Sequence, residues 1–513
     1  MTRDLELASW ELLTAVISSG AVVMLIEVLG TRIIGPMFGV SLFVWAALLS
    51  VTLSALAVGY YCGGVWIDRK PRGALLGWVL LLGGVAFGTV PLLESPVLMA
   101  ATALGPRLGP LVAALVLFAP ALVILGMSGP IAVRLATEEL AVTGRRAGGI
   151  YAVSTAGSLA GTLLTSFWLI PNYETRDIVV GGSVVLILFG AVMLRRGGGK
   201  RAVVALVLPL LATLAGEPKL PSNIEMRART SSLYGLVEVL DDTSRGVRYL
   251  RADHSIIGAH WLDGQVPAFA FLHVLEVLPL LRPNARASLS IGLGTGAVPR
   301  ALARAGVVAD VVEIDPAVAR YAEQYFAFAP NGHTYVEDAR TLIRTTTSRY
   351  DLIVHDTFTG GSTPEHLLSA EVIRRLHQIL NADGVLALNM VGFQGGPHAE
   401  ATWAVARTLR SEFPQVRAFR DNPKEHRPDR TTNIIFFASD GPIDVTIPEG
   451  FRFNDSICEK VLPALSSWEI LQDVPAGDLI TDEHNPLGRL QLVVAEEHFE
   501  AMNEMLPLEV WIR

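Results

Sequence analysis

Long apolar stretches dominate the first part of the chain and predict membrane-spanning helices. A helix that crosses a hydrocarbon core about 30 Å thick needs about 20 apolar residues. Between the third and fourth stretches, the apolar segment 95–110 is broken by Pro and Gly, which leaves open a re-entrant or interfacial segment. The pattern predicts a helical domain over residues 1–216 with about seven spans, at 10–30, 42–66, 74–94, 111–128, 148–170, 177–194 and 202–216.

A change of pattern follows, with short apolar runs separated by turns. Residues 217–229 are predicted to form a linker between the two parts of the chain. Residues 230–284 then predict a small β unit with strands at Tyr234–Leu240 and Val247–Arg251, followed by a connecting helix over 265–281.

Strand-like and helix-like segments alternate through residues 285–513, which is typical of a doubly wound α/β sheet. Later apolar runs at Thr431–Ala438 and Leu490–Ala495 predict additional strands, as in parallel sheets with an antiparallel edge. The predicted strands lie at 287–291, 307–314, 351–355 and 385–391, and the predicted helices at 297–305, 316–328 and 365–380.

The composition divides the chain in the same way. Hydrophobic residues make up 51% and charged residues 18% of the whole, whereas a soluble domain is about 25% charged. Residues 1–216 hold 14 of the 41 Lys/Arg and 10 of the 49 Asp/Glu, so the rest has 27 basic and 39 acidic residues. The acidic second part disfavours nucleic acid as a partner. Cys62 and Cys458 fit no zinc or disulfide framework, so no metal is expected.

Basic residues between the predicted spans indicate the orientation in the membrane. They cluster at Arg69–Arg72, between Arg134 and Arg146, and at Arg195–Arg201, and the positive-inside rule places these loops and the N-terminus in the cytoplasm. Residues 202–216 would extend about 22 Å as a helix. If they span, the acidic part lies outside the cytoplasm; if they lie in the interface, it stays inside. Both orientations stay open.

Two features of the predicted spans are candidates for more than anchoring. Glu27 with Arg32 is a candidate functional site, because an ionisable group within a span is costly. The alternative is a Glu near the interface that pairs with Arg32 or with another helix. The small residues Gly59, Gly63 and Gly157–Gly161 suit close helix packing.

The most informative motif is the glycine-rich turn in Ser290–Ala297, which follows a predicted strand and opens a predicted helix. Gly292, Gly294 and Gly296 allow the backbone to approach a ligand closely. Glu313 ends the next strand 21 positions after Gly292, where an acidic side chain can accept hydrogen bonds from ribose hydroxyls. Together these features predict a site for a nucleoside-containing cofactor, with a Rossmann-like domain that has lost its ligand as the alternative.

Further acidic residues end two later strands. Asp338, followed by Ala339, is placed to accept from an adenine amino group. Asp356 directly follows the strand 351–355 at the carboxyl edge where open α/β sheets bind ligands, and the loop 357–364 after it has the composition of a lid. Asp356 is therefore the catalytic candidate, and its alternative role is to cap a helix or hold the lid.

At these residues the second part of the chain resembles spermidine synthases, aminopropyltransferases with the class I methyltransferase fold. The likeness covers roughly 230–395, and the first part resembles membrane regions fused to such domains in bacteria, notably at Leu25–Arg32 and Gly149–Gly157. The motifs that carry it in the second part are Ser232–Tyr234, the glycine turn, Val312–Asp315, Glu337–Ala339, Asp351–Asp356, Pro364–Ser369 and Leu380–Gly384.

The resemblance implies a multi-pass protein of the bacterial plasma membrane that uses S-adenosylmethionine or its decarboxylated form as donor. Glu313 would hold the ribose, Asp338 the adenine, and Asp356 would act as base or orient the amine. The residues implied at the donor are Gly292, Gly294, Thr295, Gly296, Glu313, Asp338 and Ala339, and those at the acceptor are Tyr234, Asp253, Thr359 and Glu365.

Several positions depart from the family pattern. Thr295 and Thr359 stand where the family carries acids, Tyr234-Gly235 replaces Tyr-Gln, and Phe271–His273 replaces Tyr-His-Glu. Burying a polyamine without these carboxylates would cost free energy, because its positive charges would be unpaired. The substitutions therefore argue against putrescine as acceptor and weaken the case for a decarboxylated donor.

Two hypotheses of different classes follow. The first is a membrane-integrated transferase that passes an aminopropyl or methyl group to a polyamine-like amine. Such an enzyme would lie in a lipid bilayer, and whether it forms a homodimer stays open. The second is a transporter or sensor whose synthase-like domain binds a nucleoside or polyamine without turnover. Seven spans are few for a secondary transporter, and no inverted repeat is evident.

Overall fold

The protein, described here by a computed structural model, divides into two compact units. The first comprises Met1–Lys219 with Pro507–Arg513, and the second comprises Leu220–Leu506. The last residues of the range 285–513 therefore group with the first unit. The described residues are 9–39, 42–69, 72–137, 143–194, 220–264, 266–358, 361–421, 430–443, 470–471 and 473–511.

The first unit is helical almost throughout its described residues. Apolar sequences favour this structure because a helix satisfies its backbone hydrogen bonds internally. A π-helical turn, Thr165–Leu169, precedes α8. The helices are α1 (Ser9–Phe38), α2 (Leu42–Arg69), α3 (Ala74–Gly88), α4 (Val90–Thr102), α5 (Gly105–Gly126), α6 (Ser128–Ala136), α7 (Thr143–Leu164), α8 (Ile170–Asn172) and α9 (Thr175–Met193).

Within the described ranges, five helical stretches are long and apolar enough to cross a membrane, or six if a bent pair counts as one span. The predicted span 74–94 covers α3 and the start of α4, which meet at a bend of 51°. Thr89 at the break donates its hydroxyl hydrogen to the carbonyl oxygen of Ala86 over 2.7 Å, and Pro91 has no N–H to continue the helical pattern. The predicted span 202–216 lies outside the described residues.

Small residues let the helices of the first unit approach closely, as the sequence predicts. Gly157 and Gly161 of α7 lie against α1, where an added Cβ would come within 2.6 Å of Ile17 and Ala21 respectively. Gly59 of α2 lies equally close to α5. Larger side chains at these positions would push the helices apart.

The second unit begins with an antiparallel sheet of four described strands in the order β1-β2-β3-β4. β1 occupies part of the predicted linker 217–229, because its backbone pairs with β2 from Ile224 onward. Two short helices replace the single helix predicted over 265–281. These elements are β1 (Ile224–Ser231), β2 (Leu236–Asp242), β3 (Val247–Ala252), β4 (Ser255–Trp261), α10 (Ala270–Leu275) and α11 (Leu278–Leu281).

A sheet of seven described strands follows, in the order β10-β11-β9-β8-β5-β6-β7. β11 runs antiparallel to its neighbours and the other strands are parallel. This is the Rossmann-like, class I methyltransferase arrangement that the sequence predicts. The strands are β5 (Ala287–Ile291), β6 (Val308–Glu313), β7 (Thr334–Val336), β8 (Tyr350–His355), β9 (Leu380–Phe393), β10 (Gln415–Arg420) and β11 (Thr431–Ser439).

Helices cover both faces of this sheet, so its strands are apolar on both sides. Leu289 and Ile353 belong to one buried cluster, and Leu352 and Val354 belong to another. The helices are α12 (Ala297–Arg304), α13 (Pro316–Tyr325), α14 (Ala339–Thr345), α15 (Ala370–Ile379), α16 (Glu400–Glu412), α17 (Leu487–Leu490) and α18 (Leu492–Met505), and α19 (Leu508–Trp511) belongs to the first unit.

Two further local predictions about the second unit are wrong. The apolar run Leu490–Ala495 is helical and lies in α17 and α18. Its apolar residues continue at Phe499 and Met502, so that α18 buries one face, and this longer periodicity outweighs the short apolar run. The helix predicted over 365–380 begins at Ala370, after a 3₁₀ turn at Glu365–Leu367, because the Ser369 side chain caps it.

Candidate active site

The glycine turn and Asp356 meet at the carboxyl edge of the sheet. β5 lies between β8 and β6 in the strand order, so the connections diverge there, and open α/β sheets bind ligands at such a point. Gly292 has φ of 87°, and a Cβ on it would lie 2.1 Å from the carbonyl oxygen of Asp356. The Asp356 N–H donates to the carbonyl oxygen of Ile291 over 2.9 Å. The predicted turn and the catalytic candidate are therefore neighbours.

The rest of the glycine turn is shaped by close backbone contacts. Gly294 and Gly296 have φ of 52° and 72°, which glycine adopts without steric cost. Gly296 precedes α12, so the turn leads directly into a helix N-terminus. Thr295 is buried, and its methyl group lies 2.5 Å from the position of a Cβ on Gly258 of β4. The side chain at the family's acidic position therefore packs against the small sheet.

Glu313 ties the end of β6 to the glycine turn. Its carboxylate accepts hydrogen bonds from the backbone N–H groups of Leu293, over 3.1 Å, and Asp315, over 2.9 Å. Burial raises the pKa of Glu313, and these backbone hydrogen bonds oppose the rise. The acidic residue predicted from spacing thus lies beside the turn.

Asp338 and Ala339 lie at the N-terminus of α14. Asp338 caps the helix, because its carboxylate accepts from the Thr341 N–H over 3.0 Å. Its other oxygen lies 3.8 Å from Nε2 of His366. Ala339 is buried as the first residue of the helix. The Asp338 carboxylate remains partly exposed at the same sheet edge as Glu313.

Asp356 is half-buried and has a polar partner that the sequence prediction missed. Nδ2 of Asn389 donates to Oδ1 of Asp356 over 2.8 Å. Burial raises the pKa of Asp356 to about 6, and the Asn389 hydrogen bond acts in the opposite direction. Asn389 follows Leu388, which is paired with His355 across β8 and β9. The sequence signal for this partner is that Asn389 is the single polar residue in the otherwise apolar run 385–391.

The side-chain hydrogen bonds of the predicted acceptor residues join them to backbone groups elsewhere and not to Asp356. Asp253, with φ of 47°, accepts from the Leu236 N–H over 2.9 Å at the start of β2. Glu365 accepts from the Gly488 N–H over 2.8 Å. Tyr234 is half exposed in the turn between β1 and β2, and Thr359 lies outside the described residues. Asp253 and Glu365 therefore have structural partners of their own.

The motif Ser232–Tyr234 gains a role that the sequence did not indicate. The Ser232 hydroxyl donates to Oδ2 of Asp315 over 2.6 Å, and Oδ1 of Asp315 accepts from the Ala317 N–H over 2.8 Å. Asp315 caps α13, two residues after Glu313. This bridge joins the turn between β1 and β2 to the N-terminus of α13, beside Glu313.

Helix α18 lies against the segment that follows β8. A Cβ on Gly361 would be 3.1 Å from Cα of Ala495, and the rings of Phe358 and His498 are 4.8 Å apart. Nε2 of His498 lies 3.1 Å from the hydroxyl oxygen of Ser255 in the small sheet. Burial lowers the pKa of His498 to about 4. Helix α18 therefore contacts both the small sheet, at Ser255, and the residues Phe358 and Gly361 that follow Asp356.

The membrane candidates Glu27 and Arg32 both lie in α1 of the first unit. Each is half-buried. Their spacing of five residues places them about 140° apart around an α-helix, so they project from different faces. In the described ranges, no group of three or more His, Cys, Asp or Glu residues could hold a metal ion.

Comparison with known proteins agrees with the sequence prediction. Residues 273–416 match the family model described as "Spermine/spermidine synthase domain", so the predicted resemblance is confirmed. The chain is 35% identical over 321 residues to "N-terminal histidine N-methyltransferase" of Emericella nidulans, covering 55% of this chain and 57% of that protein. It is 42% identical over 117 residues to "Polyamine aminopropyltransferase" of Vibrio vulnificus, covering 21% of this chain and 39% of that protein.

The chain is also similar to a solved structure. The chain is 20% identical to the spermidine synthase of Thermotoga maritima, with a TM-score of 0.38, covering 50% of this chain and 94% of that one. These two curated relatives are named as a methyltransferase and an aminopropyltransferase. The chain spans less than two thirds of the length of either relative.

Proposed function

We propose that this chain is a transferase that passes an alkyl group from an S-adenosyl sulfonium donor to an amine, with Asp356 as the general base. One observation carries the proposal: the glycine turn and Asp356 share one edge of the sheet, with the Cβ position of Gly292 only 2.1 Å from the Asp356 carbonyl oxygen. A donor held along the turn would present its reactive carbon near the Asp356 side-chain carboxylate.

The donor would be held by residues that the family resemblance also implies. Glu313 would accept hydrogen bonds from the ribose hydroxyls, and the partly exposed carboxylate of Asp338 would accept from the adenine amino group. The glycine turn allows close approach of the backbone to the donor. S-adenosylmethionine and its decarboxylated form are the two donor candidates.

The reaction would be an in-line displacement at carbon. The amine lone pair forms a C–N bond, the C–S bond breaks, and its electron pair neutralises the sulfonium to a thioether. The N–H proton passes to the Asp356 carboxylate. A pKa of about 6 suits this role, since the group is ionised at neutral pH yet more basic than an exposed aspartate.

Methyl transfer is the better supported of the two reactions. A decarboxylated donor carries both a sulfonium and an uncompensated ammonium, and burial of unpaired charge is expensive. Thr295, buried against Gly258, supplies no carboxylate for that ammonium. The relative that aligns over 55% of this chain is named as an N-methyltransferase. The match of residues 273–416 to the synthase family favours aminopropyl transfer as the second candidate.

We also propose that the first unit anchors the enzyme as a multi-pass protein of the plasma membrane. The apolar helical stretches of the described chain support this assignment. Fractionation of cells that express the full chain should recover it with membranes after a carbonate wash. Recovery in the soluble fraction would contradict the assignment.

The test of the reaction uses the full chain in detergent with either donor and a panel of putrescine, spermidine and histidine. S-adenosylhomocysteine as by-product indicates methyl transfer, and methylthioadenosine indicates aminopropyl transfer. Asp356→Asn should lower turnover by about 100-fold or more while donor binding measured by calorimetry is kept. Unchanged turnover would remove Asp356 as base.

A matched control is available at the opposite edge of the sheet. Asp440 follows β11 there and lies 2.9 Å from Nε2 of His377. Asp440→Asn makes the same chemical change away from the glycine turn and should leave turnover unaltered. Donor binding without transfer to any amine would favour the sensor hypothesis instead.

A further inference from the structure

Asn389 is a buried polar residue whose hydrogen bonding is incomplete. Its side chain is 6% exposed in β9, and Nδ2 donates to Oδ1 of Asp356 over 2.8 Å. Its other polar atom, Oδ1, is buried and has no hydrogen-bond partner among the described residues. Buried carbonyl oxygens are usually paired in folded proteins, so an unpaired one beside a candidate catalytic base requires an explanation.

Folding alone does not explain an asparagine at this position. Its neighbours Leu388 and Met390 are buried and apolar, and its backbone pairs with Ile435 of β11 as any residue could. An apolar side chain would fill the same space without leaving a polar atom unsatisfied. The orientation of the amide follows from the carboxylate, because Asp356 accepts a hydrogen bond from Nδ2 and would repel Oδ1.

We propose that Asn389 binds the acceptor and that the Asp356–Asn389 pair selects a primary amine. The inference rests on the proposed function, since it assigns the acceptor of that same reaction. A primary amine has one lone pair and two N–H bonds. One N–H donates to the Asp356 carboxylate, which takes that proton, and the other donates to Oδ1 of Asn389. The lone pair then points toward the donor carbon.

This arrangement distinguishes primary from secondary amines. A secondary amine has a single N–H, so it leaves Oδ1 of Asn389 unsatisfied when Asp356 takes the proton. Its extra alkyl group would also occupy the place of the second hydrogen. After one transfer the product is itself a secondary amine, so the enzyme should stop at one alkyl group per nitrogen.

The experiment uses the full chain in detergent and compares putrescine with N,N′-dimethylputrescine, and histidine with Nα-methylhistidine. Wild type should prefer the primary amine of each pair by about tenfold or more, the scale of one lost hydrogen bond to a charged or reacting group. Mass spectrometry should find one added group per nitrogen. Equal use of primary and secondary amines by wild type would overturn the proposal without any variant.

Substitutions at Asn389 supply an independent readout. Asn389→Leu, of similar volume, should lower kcat/KM for the primary amine by about tenfold and leave that for the secondary amine nearly unchanged. The Asn389 hydrogen bond lowers the pKa of Asp356, so its loss should move the acidic limb of the rate profile to higher pH. Asn389→Gln, which keeps an amide, should retain part of the preference.

The outcomes separate the inference from the proposed function. Absence of transfer to any amine by wild type would contradict the proposed function itself. Transfer by wild type, with the same amine preference and the same acidic limb in Asn389→Leu, would overturn only the role of Asn389. Donor binding and thermal unfolding check that the variant is folded, and Asn389→Gln repeats the test if the leucine variant is not.

Discussion

The two sides of the candidate site are built from different kinds of contact. On the donor side, the glycine turn and Glu313 come from one continuous β–α–β stretch, and the Leu293 N–H joins them directly. On the proposed acceptor side, Asp356 and Asn389 come from separate parts of the chain, and α18 contacts Phe358 after Asp356. The hydrogen bond between Leu293 and Glu313 therefore joins residues of one short segment of the chain. The acceptor side depends on how distant elements pack, which is where specificity can vary.

The largest effect that would test this comparison is expected at Gly292. Gly292→Ala forces a Cβ to within 2.1 Å of the Asp356 carbonyl oxygen at φ of 87°. Because the obstructing atom is backbone, the turn must move, and donor affinity should fall by about 100-fold. Calorimetry with S-adenosylmethionine measures the change. Gly246→Ala has a similar φ of 67° with open space around it, so it should leave donor binding intact.

A smaller loss is expected at Glu313. In Glu313→Gln, one of the side-chain oxygens that accept from the Leu293 and Asp315 N–H groups becomes an amide donor. The mismatch should lower donor affinity by about tenfold and destabilise the fold by about 1–3 kcal/mol. Glu323→Gln on the exposed face of α13 is the control. Equal behaviour of the two variants would contradict the role of Glu313.

The pH dependence tests the acceptor side. Turnover should rise with pH through about 6, as Asp356 ionises. The folded pKa is above the ordinary value of 3.8, so the protonated carboxyl is favoured in the fold. Stability from this group is present below pH about 4 and is lost as pH rises through about 6.

Asp356→Asn should therefore raise the Tm relative to wild type above pH 6 but not below pH 4. Differential scanning fluorimetry across this range measures the difference. A carboxylate that stabilises the fold in its ionised form would give the opposite change in Tm. The same variant loses turnover, so stability and activity should change in opposite directions.

The smallest effect is expected for carboxylates that only hold the backbone. Glu365→Ala removes the acceptor of the Gly488 N–H and should lower the free energy of unfolding by about 1 kcal/mol. The ratio of primary to secondary amine use should stay unchanged. An altered ratio would support a role for Glu365 in acceptor binding, as the family resemblance implies.

Local patterns allowed much of the second unit to be predicted from sequence. β5, the glycine turn and Glu313 follow from strand and turn periodicity within a short segment. Alternating strand and helix segments also predict the doubly wound α/β sheet, and the family resemblance implies its class I methyltransferase type. The segment Leu490–Ala495 was misassigned because a run of a few apolar residues suits a strand or a buried helix equally well. Only the extension of the pattern to Met502 distinguishes them.

The sequence by itself determined that apolar helices precede an α/β domain, and it identified the glycine turn and the acids at the strand ends of that domain. Those conclusions depend on composition and on contacts between residues close in the chain. Only the tertiary structure decided that Asn389 donates to Asp356, that Ser232 bridges to Asp315, and that α18 lies beside the loop after β8. The physical reason is that these contacts join residues far apart in sequence, where local periodicity carries no information about partners.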